Sequence, residues 1–445
     1  MQRFVEETLD RQIADLQRLV RIPSVSRGMP AEPGKPFGRN VAAALETALE
    51  IARGLGFDRV WSVDGYAGVV EYGEGPETLG VLAHLDVVPE GEGWTYPPYG
   101  AELHGGRIYG RGTLDDKGAA VSALYALAAV KASGLGMKRK VRVILGTDEE
   151  KGSSGVEHYL AVEGAPELAF TPDAEYPVVN SEMGILQATY RQQGPFAIRV
   201  SVGSAANVIP GAVTVKLPQQ AETVPVPEGF SAEFAGDTIT VTGRGGHASM
   251  PENAKNALLA AINLLSWQDL PEPDASLVKG LSDCWAFDLH GEQLGIDVTD
   301  ESGRTTYSPD VFQVDEAGAS FTCDCRHPFS QPADAILAAT DAAYGALGFT
   351  RADTVVKAGH FIPADSELVS ALMRVYNRIN GGEAKPLTMG GGTYARELPY
   401  AVAFGVVREG APNLCHMPDE SISVDDLRFH TLVMAEAIKE LAAKQ

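Results

Sequence analysis

The sequence predicts an α/β domain, in which helices flank a mixed sheet, with a second, α+β domain inserted into it. Up to about residue 181, apolar runs of strand length alternate with segments of helical periodicity, which is typical of α/β folds. From residue 182 to residue 361 short strands cluster and helices become rare, which indicates an α+β module. After residue 361 the first pattern returns. We therefore assign residues 1–181 and 362–445 to one domain and residues 182–361 to the insertion.

Each element of the first domain is predicted from its periodicity and its end signals. Apolar side chains recur at helical spacing along residues 4–20, and Pro23 lies just beyond that segment. Residues 117–133 form an Ala-rich helix, and the continuous apolar run at 141–147 indicates a buried strand. The remaining elements predicted here are helices at 40–54 and Glu367–Ile379 and strands at about 58–63, 67–72, 79–84 and 401–406.

The insertion is predicted to be rich in strands. Two helices, at about 254–267 and 333–347, interrupt the strands, and the Pro-containing stretch 218–229 indicates a loop. The strands predicted for the insertion lie at about 186–193, 196–202, 212–217, 231–234, 238–242 and 311–325.

Composition excludes several classes of partner. Acidic residues outnumber basic ones by 59 to 36, the formal charge is −23, and no basic cluster could neutralise phosphates, so we expect no nucleic-acid partner. No apolar stretch approaches the length of a membrane span and no secretory signal is evident, so we expect no membrane partner. Cysteines are too few for a disulfide framework, which favours a reducing, cytoplasmic location. They are Cys284, Cys323, Cys325 and Cys415.

Imidazole and carboxylate groups gather at the ends of predicted strands. His84 and Asp86 end one apolar run, and residues two apart on an extended segment face the same side. Glu149 and Glu150 follow the apolar run at 141–145. Strand ends are where open α/β sheets build their sites, and neutral imidazole with carboxylates suits zinc. Taken alone, His84 with Asp86 fits a buried, satisfied pair equally well.

Several motifs occur in one order along nearly the whole chain. They are H-L-D-V-V-P from His84, G-R-G-T-L-D-D-K-G from Gly110, T-D-E-E from Thr147, G-G-H-A-S-M-P from Gly245, G-G-G-T-Y-A-R from Gly390 and C-H-M-P-D-E from Cys415. The chain thereby resembles the co-catalytic zinc metallopeptidases, which include carboxypeptidase G, aminoacylase, succinyl-diaminopimelate desuccinylase and dipeptidases. The residues within these motifs are most similar to those of the peptidase V-type bacterial dipeptidases.

The resemblance implies a zinc-peptidase-like catalytic domain with two Zn²⁺ ions, for which Co²⁺ or Mn²⁺ could substitute. Asp115 would bridge both ions, Glu149 would be the general base and Asp86 would orient His84. The remaining ligands implied are His84 and Asp173 for one ion and Glu150 and His416 for the other. A base close to the reacting water without being a ligand is what such chemistry requires.

The insertion would act as a lid over the site. The resemblance implies that His247 polarises the scissile carbonyl, although a loop-capping histidine is the alternative. It also implies that Asn207 and Arg326 contact substrate. Backbone N–H groups of the glycine run suit an anion, and Arg396 is a second candidate for the substrate carboxylate or a structural cap of the turn. The glycines concerned are Gly391 and Gly392.

We therefore expect hydrolysis of peptide bonds in dipeptides by a metal-bridging water that Glu149 activates. The alternatives are an N-acyl amino acid amidohydrolase or desuccinylase and, from another class, a non-catalytic binding protein on the same fold. The expected partner is a dipeptide or small N-acyl amino acid. In smaller proteins of the family that the chain resembles, a compact lid forms the dimer. The lid here is predicted at roughly 180 residues, well beyond one small α+β unit, so the resemblance implies a monomer, with a homodimer as the alternative.

Overall fold

The computed structural model describes residues 1–26 and 28–444 and divides the chain into two compact units. The first unit comprises Met1–Asn180, Ile362–Leu387 and Gly392–Gln445, and the second comprises Ser181–Phe361 and Thr388–Gly391. The α-helices are α1 (Gln2–Val20), α2 (Arg39–Gly54), α3 (Lys117–Ala132), α4 (Ser154–Glu163), α5 (Ala257–Leu265), α6 (Asp274–Trp285), α7 (Ala333–Ala346), α8 (Glu367–Asn380) and α9 (Val424–Ala442). Short 3₁₀ turns span Glu149–Lys151, Pro251–Asn253 and Tyr394–Glu397.

The strands are short and vary in length from two to ten residues. They are β1 (Arg59–Val63), β2 (Ala67–Tyr72), β3 (Thr78–His84), β4 (Glu102–His104), β5 (Arg107–Tyr109), β6 (Lys140–Gly146), β7 (Leu168–Thr171), β8 (Ala174–Glu175), β9 (Val179–Glu182), β10 (Gly184–Gln193), β11 (Arg199–Val202), β12 (Val208–Ile209), β13 (Ala212–Lys216), β14 (Ser231–Ala235), β15 (Thr238–Thr242), β16 (Gly246–His247), β17 (Thr299–Asp300), β18 (Gly303–Arg304), β19 (Thr306–Val314), β20 (Gly318–His327), β21 (Thr350–Lys357), β22 (His360–Phe361), β23 (Leu387–Met389), β24 (Ala401–Ala403), β25 (Val406–Val407) and β26 (Ser421–Ser423).

The sheet of the first unit is mixed, as the sequence predicts. Its strands follow the order β1-β2-β6-β3-β7-β24. β1, β2 and β6 pair antiparallel, whereas β6, β3, β7 and β24 run parallel. Central parallel strands are covered on both faces, which explains why β3 is an almost unbroken apolar run whose residues are buried from Leu79 to His84. The carboxyl ends of β3, β6 and β7 therefore meet at one edge of the sheet.

Helix α3 lies at the centre of this unit. It is buried on nearly all sides and packs against α1, α9 and β3. Its many alanines have small side chains, so neighbouring elements approach closely at little cost in helix propensity. The resulting apolar core extends through α1, α2, α3, α8 and α9, with helices flanking the sheet. The predicted fold class is confirmed.

The second unit is built on an eight-stranded antiparallel sheet. The strand order is β14-β15-β13-β11-β19-β20-β10-β21, and α5, α6 and α7 contribute to its apolar core. The strand predicted at 311–325 is wrong, because a turn divides this stretch between β19 and β20. Asp315 directs that turn, since its Oδ1 accepts the N–H groups of Ala317 and Gly318. Helix α6 was not predicted, because two prolines at its start and Gly280 within it weaken the helical signal.

His430 on α9 gives the fold an acid-sensitive point. The ring is buried and stacks on Tyr176 at 5.6 Å, and among the described residues neither ring nitrogen has a hydrogen-bond partner. Burial lowers the pKa of His430 to about 4. The unfolded chain takes up this proton near pH 6.5, and the folded chain does so only near pH 4. Stability is therefore lost as the pH falls through this window.

We predict that His430→Phe reduces this loss, which is on the order of 3 kcal/mol when complete. Urea unfolding of the metal-free protein should be measured from pH 7.5 to pH 4.5. His104 is an exposed histidine paired with Glu102, so His104→Gln is the matched control and should follow the wild type. Equal acid slopes for His430→Phe and wild type would contradict the assignment.

Candidate metal centre

The parallel strands of the first unit place three predicted site segments at one sheet edge. His84 is the last residue of β3, and the 3₁₀ turn with Glu149 and Glu150 follows the end of β6. Asp173 lies two residues beyond β7. Asp115 immediately precedes Asp116, the N-cap of α3. The sequence-predicted ligands of the first unit are thus brought together by topology.

Two groups of possible ligands share the carboxylate of Asp115. In the first, His84 Nε2 lies 2.9 Å from Asp115 Oδ1 and 3.7 Å from Asp173 Oδ2. In the second, His416 Nε2 lies 3.0 Å from Asp115 Oδ2 and 3.2 Å from Glu150 Oε1. Within each group the candidate ligand atoms all lie within 4.8 Å of one another. Each oxygen of Asp115 therefore faces a different group, as a bridging ligand requires.

The charges of the site fit bound cations. Burial raises the pKa of Asp173 and of Asp116 well above the usual range and that of Glu149 to about 8, because buried carboxylates crowd together here. Hydrogen bonds to Asp115 and Glu150 raise the pKa of His416 to about 10. Without bound metal, protons on the imidazoles therefore balance part of the negative charge of the carboxylates. Divalent cations would supply that positive charge while leaving the histidines neutral, as ligands must be.

Asp86 contacts more than the His84 ring. His84 Nδ1 lies 2.9 Å from the backbone oxygen of Asp86 and 3.5 Å from its carboxylate. That carboxylate also accepts the backbone N–H of Glu149 at 3.0 Å and that of Glu150 at 3.3 Å, and Ser26 donates to it at 2.9 Å. Asp86 thus holds the turn that carries the candidate base. The sequence could not show this, because the contacts are to backbone groups.

Tyr394 is a further residue of the site that sequence reasoning missed, although it stands inside the quoted G-G-G-T-Y-A-R motif. Its buried ring meets the His84 ring edge-on, with the ring centroids 6.3 Å apart. A Cβ atom at Gly146 would lie 2.0 Å from the Tyr394 hydroxyl. Glycine at the end of β6 therefore makes room for the aromatic ring that supports His84.

In the second unit, hydrogen bonds orient His247. Pairing of β12 with β16 sets Val208 opposite His247, next to Asn207. The Ser249 hydroxyl lies 2.7 Å from His247 Nδ1, and the backbone N–H of Ser249 donates to the same nitrogen at 3.1 Å. The side-chain amide nitrogen of Asn207 lies 3.3 Å from His247 Nε2. Burial and the positive charge of Arg326 lower the pKa of His247, which favours the neutral form.

Arg326 forms a salt bridge with a carboxylate of its own unit. Its Nε donates to Asp324 Oδ1 at 2.6 Å and its Nη2 to Asp324 Oδ2 at 3.0 Å, while Nη1 donates to the backbone oxygen of Gly390. Both side chains are buried, and Gln187 donates to Asp324 at 2.8 Å. A bidentate interaction with a carboxylate is therefore formed within the chain, so Arg326 is held in one orientation.

The glycine run near residue 391 is divided between the units. Gly391 belongs to the second unit, whereas Gly392 and Arg396 belong to the first. A Cβ atom at Gly392 would lie 2.3 Å from the Arg396 guanidinium, so that group packs directly on the glycine backbone. Gly392 and Arg396 therefore act as one local feature of the turn.

A parallel sheet edge with two histidine–carboxylate groups that share one aspartate defines a candidate dinuclear hydrolase centre. The sequence matches Peptidase family M20/M25/M40 over residues 80–440. The chain belongs to this family, and the predicted resemblance is confirmed. Among the described residues, the structure contains no helix with the length and apolarity needed to cross a membrane.

Relatives match nearly the whole chain. "Putative dipeptidase YtjP" of Bacillus subtilis (strain 168) is 37% identical, covering 97% of this chain and 97% of that protein. "Beta-Ala-Xaa dipeptidase" of Lactobacillus delbrueckii subsp. lactis is 33% identical, covering 98% and 97%. Human carnosine dipeptidase 1 has the same fold, with a TM-score of 0.60 at 16% identity over 99% of this chain and 98% of that structure.

We predict that Asp115→Asn and Asp116→Asn differ sharply in metal content. Asp115 belongs to both ligand groups, whereas Asp116 Oδ2 accepts the backbone N–H of His84 at 3.0 Å. Loss of a shared ligand should weaken metal binding by more than the ~10–100-fold that is typical when a residue that only orients a ligand is removed. Elemental analysis after dialysis measures both variants. Equal metal content would contradict the placement of Asp115 as the bridge.

Proposed function

We propose that this chain is a metal-dependent dipeptidase that hydrolyses the peptide bond of free dipeptides. The observation that carries the proposal is the Asp115 carboxylate shared by two ligand groups, with Glu149 beside them and in neither. The relatives from Bacillus subtilis and Lactobacillus delbrueckii, which are aligned over nearly their whole length, are named as dipeptidases, and this supports the substrate class.

His84 and Asp173 would hold one cation, Glu150 and His416 the other, and Asp115 both. Mixed imidazole and carboxylate donors suit zinc, and cobalt or manganese could take its place. When bound, the two cations supply Lewis acidity that lowers the pKa of a water molecule at the site. In this proposal the ligand side chains serve only to hold the two cations in place.

Glu149 is the general base of the proposed reaction. Because it is not one of the grouped ligands, its carboxylate is available to take a proton from the attacking water once the positive charge of bound cations offsets the burial and the neighbouring carboxylates that raise its pKa to about 8. Asp86 fixes the turn of Glu149 through the backbone hydrogen bond described above. The same carboxyl group then passes the proton to the amine that leaves when the peptide bond breaks.

His247 stabilises the oxyanion in this proposal. In the neutral tautomer whose Nδ1 accepts the Ser249 N–H, Nε2 carries the proton and can donate it to the carbonyl oxygen. A donor fixed before the reaction stabilises negative charge that develops on the carbonyl oxygen. Asn207, Arg326 and the backbone of Gly391 and Gly392 would contact substrate, with Arg396 as the second candidate for its carboxylate. We place the enzyme in the cytoplasm, which its four free cysteines support.

A substrate panel tests the function. We expect zinc-loaded protein to hydrolyse Ala-Ala-type dipeptides and to lose that activity with a chelator. N-acetyl amino acids and succinylated amines are the comparison substrates, because the alternative functions require an acyl group where a dipeptide has a free amine. Faster hydrolysis of either comparison class would replace the dipeptidase proposal. No hydrolysis of any substrate with Zn²⁺, Co²⁺ or Mn²⁺ would favour a binding protein.

We predict that Glu149→Gln lowers kcat by about 10²–10⁴-fold while the protein keeps its metal, because only the base is lost. The matched control is Glu150→Gln on the same turn, which removes a grouped ligand and should lower metal content. Rates and elemental analysis are measured on the same samples. A Glu149→Gln rate near that of wild type would refute its role as base.

We also predict that the enzyme works as a monomer, with His247 acting within its own chain. Sizing at working concentration should give a mass near 47.2 kDa. Mixing inactive His247→Ala with inactive Glu149→Gln should restore no activity, since neither chain has both residues. Recovered activity on mixing would show that His247 acts across a dimer.

A further inference from the structure

Glu420 lies four residues after the candidate ligand His416, and its buried carboxylate contacts the turn that carries Asp115. Its Oε1 accepts three backbone N–H groups, from Gly112 at 2.9 Å, Leu114 at 2.8 Å and Asp115 at 3.1 Å. Three N–H groups that converge on one carboxylate oxygen fix the path of that backbone. A residue of the C-terminal ligand loop thus determines the conformation of a turn about 300 positions earlier.

Arg111 completes this contact. Its Nη1 donates to Glu420 Oε2 at 2.7 Å, both side chains are buried, and the guanidinium lies over the Trp94 ring at 5.3 Å. The N–H of Gly110 donates to the backbone oxygen of Glu420 at 2.9 Å. Because the pair is buried, removing one charge leaves the other without compensation. Position 420 therefore needs a side chain that carries a negative charge for Arg111 and is long enough to reach the backbone N–H groups of the turn.

We propose that Glu420 is a positioning residue of the metal centre, which sets Asp115 at the correct separation from His416. The inference rests on the proposed metal centre and deepens it. Only Met417, Pro418 and Asp419 separate His416 from Glu420, so the carboxylate ties the two ligands through a short segment. Asp115 Oδ2 and His416 Nε2, which Glu420 connects through this short segment, lie 3.0 Å apart. Metal affinity then depends on a residue that touches neither cation.

The test is Glu420→Gln, which has the same shape but places an amide N–H₂ or a neutral oxygen against Arg111. Zinc affinity is measured by chelator competition, with circular dichroism and thermal unfolding of the metal-free protein alongside. We expect zinc binding to weaken by about 10–100-fold, as for partners that orient ligands. The control is Asp419→Asn in the same loop, a half-buried residue whose carboxylate accepts the N–H of Thr95 at 2.8 Å. It should bind zinc like wild type.

Wild-type affinity in folded Glu420→Gln, or a loss confined to the unfolding temperature, would overturn the positioning role. If Glu420→Gln does not fold, Glu420→Asp decides, because it keeps the charge but withdraws the carboxylate by one methylene. Weakened zinc binding in Glu420→Asp supports the proposal, and wild-type affinity overturns it. Should the wild-type chain itself bind fewer than two ions, the metal centre fails and Glu420's role with it. An inactive enzyme that binds two ions would remove only the dipeptidase activity.

Discussion

The site depends on one electrostatic constraint, the crowding of buried and half-buried carboxylates around Asp115. Asp116, Glu149 and Asp173 all have pKa values raised by burial, because an anion is costly away from water. The imidazoles of His84 and His416 contact the two oxygens of Asp115 and balance part of this charge. A fold that maintains such crowding has a strong electrostatic preference for cations at this point, which is the physical basis of the proposed metal centre.

Parallel strands make this crowding possible. Their carboxyl ends meet at one edge, so segments far apart in sequence deliver side chains to the same place without long loops. The ligands on loops need separate restraints, since a loop alone fixes a side chain poorly. Asp86 provides one restraint through the amides of Glu149 and Glu150, and Glu420 provides another through the turn at Asp115. Both restraints are carboxylates that accept backbone N–H groups.

The sequence predicts the mixed sheet and the candidate ligands, because strand periodicity and motif order are local and one-dimensional signals. It could not predict contacts between side chains and distant backbone, such as Glu420 with the amide of Asp115. It also could not show that Arg326 is engaged by Asp324 two residues earlier, since alternation on a strand says which face a residue shares and not what it binds. The turn that divides residues 311–325 into two strands was not predicted, because apolar residues lie on both sides of it and a single residue, Asp315, directs the turn.

The two units divide the proposed chemistry between them. All five candidate ligands and Glu149 belong to the first unit, whereas His247, Asn207 and Arg326 belong to the second. Each group is oriented by hydrogen bonds inside its own unit: Ser249 fixes the His247 ring, and Asp86 fixes the turn of Glu149. The cost of ordering these side chains is therefore met when each unit folds and not when substrate binds. Binding energy from a small substrate is limited, so such preorganisation leaves more of it to stabilise the transition state.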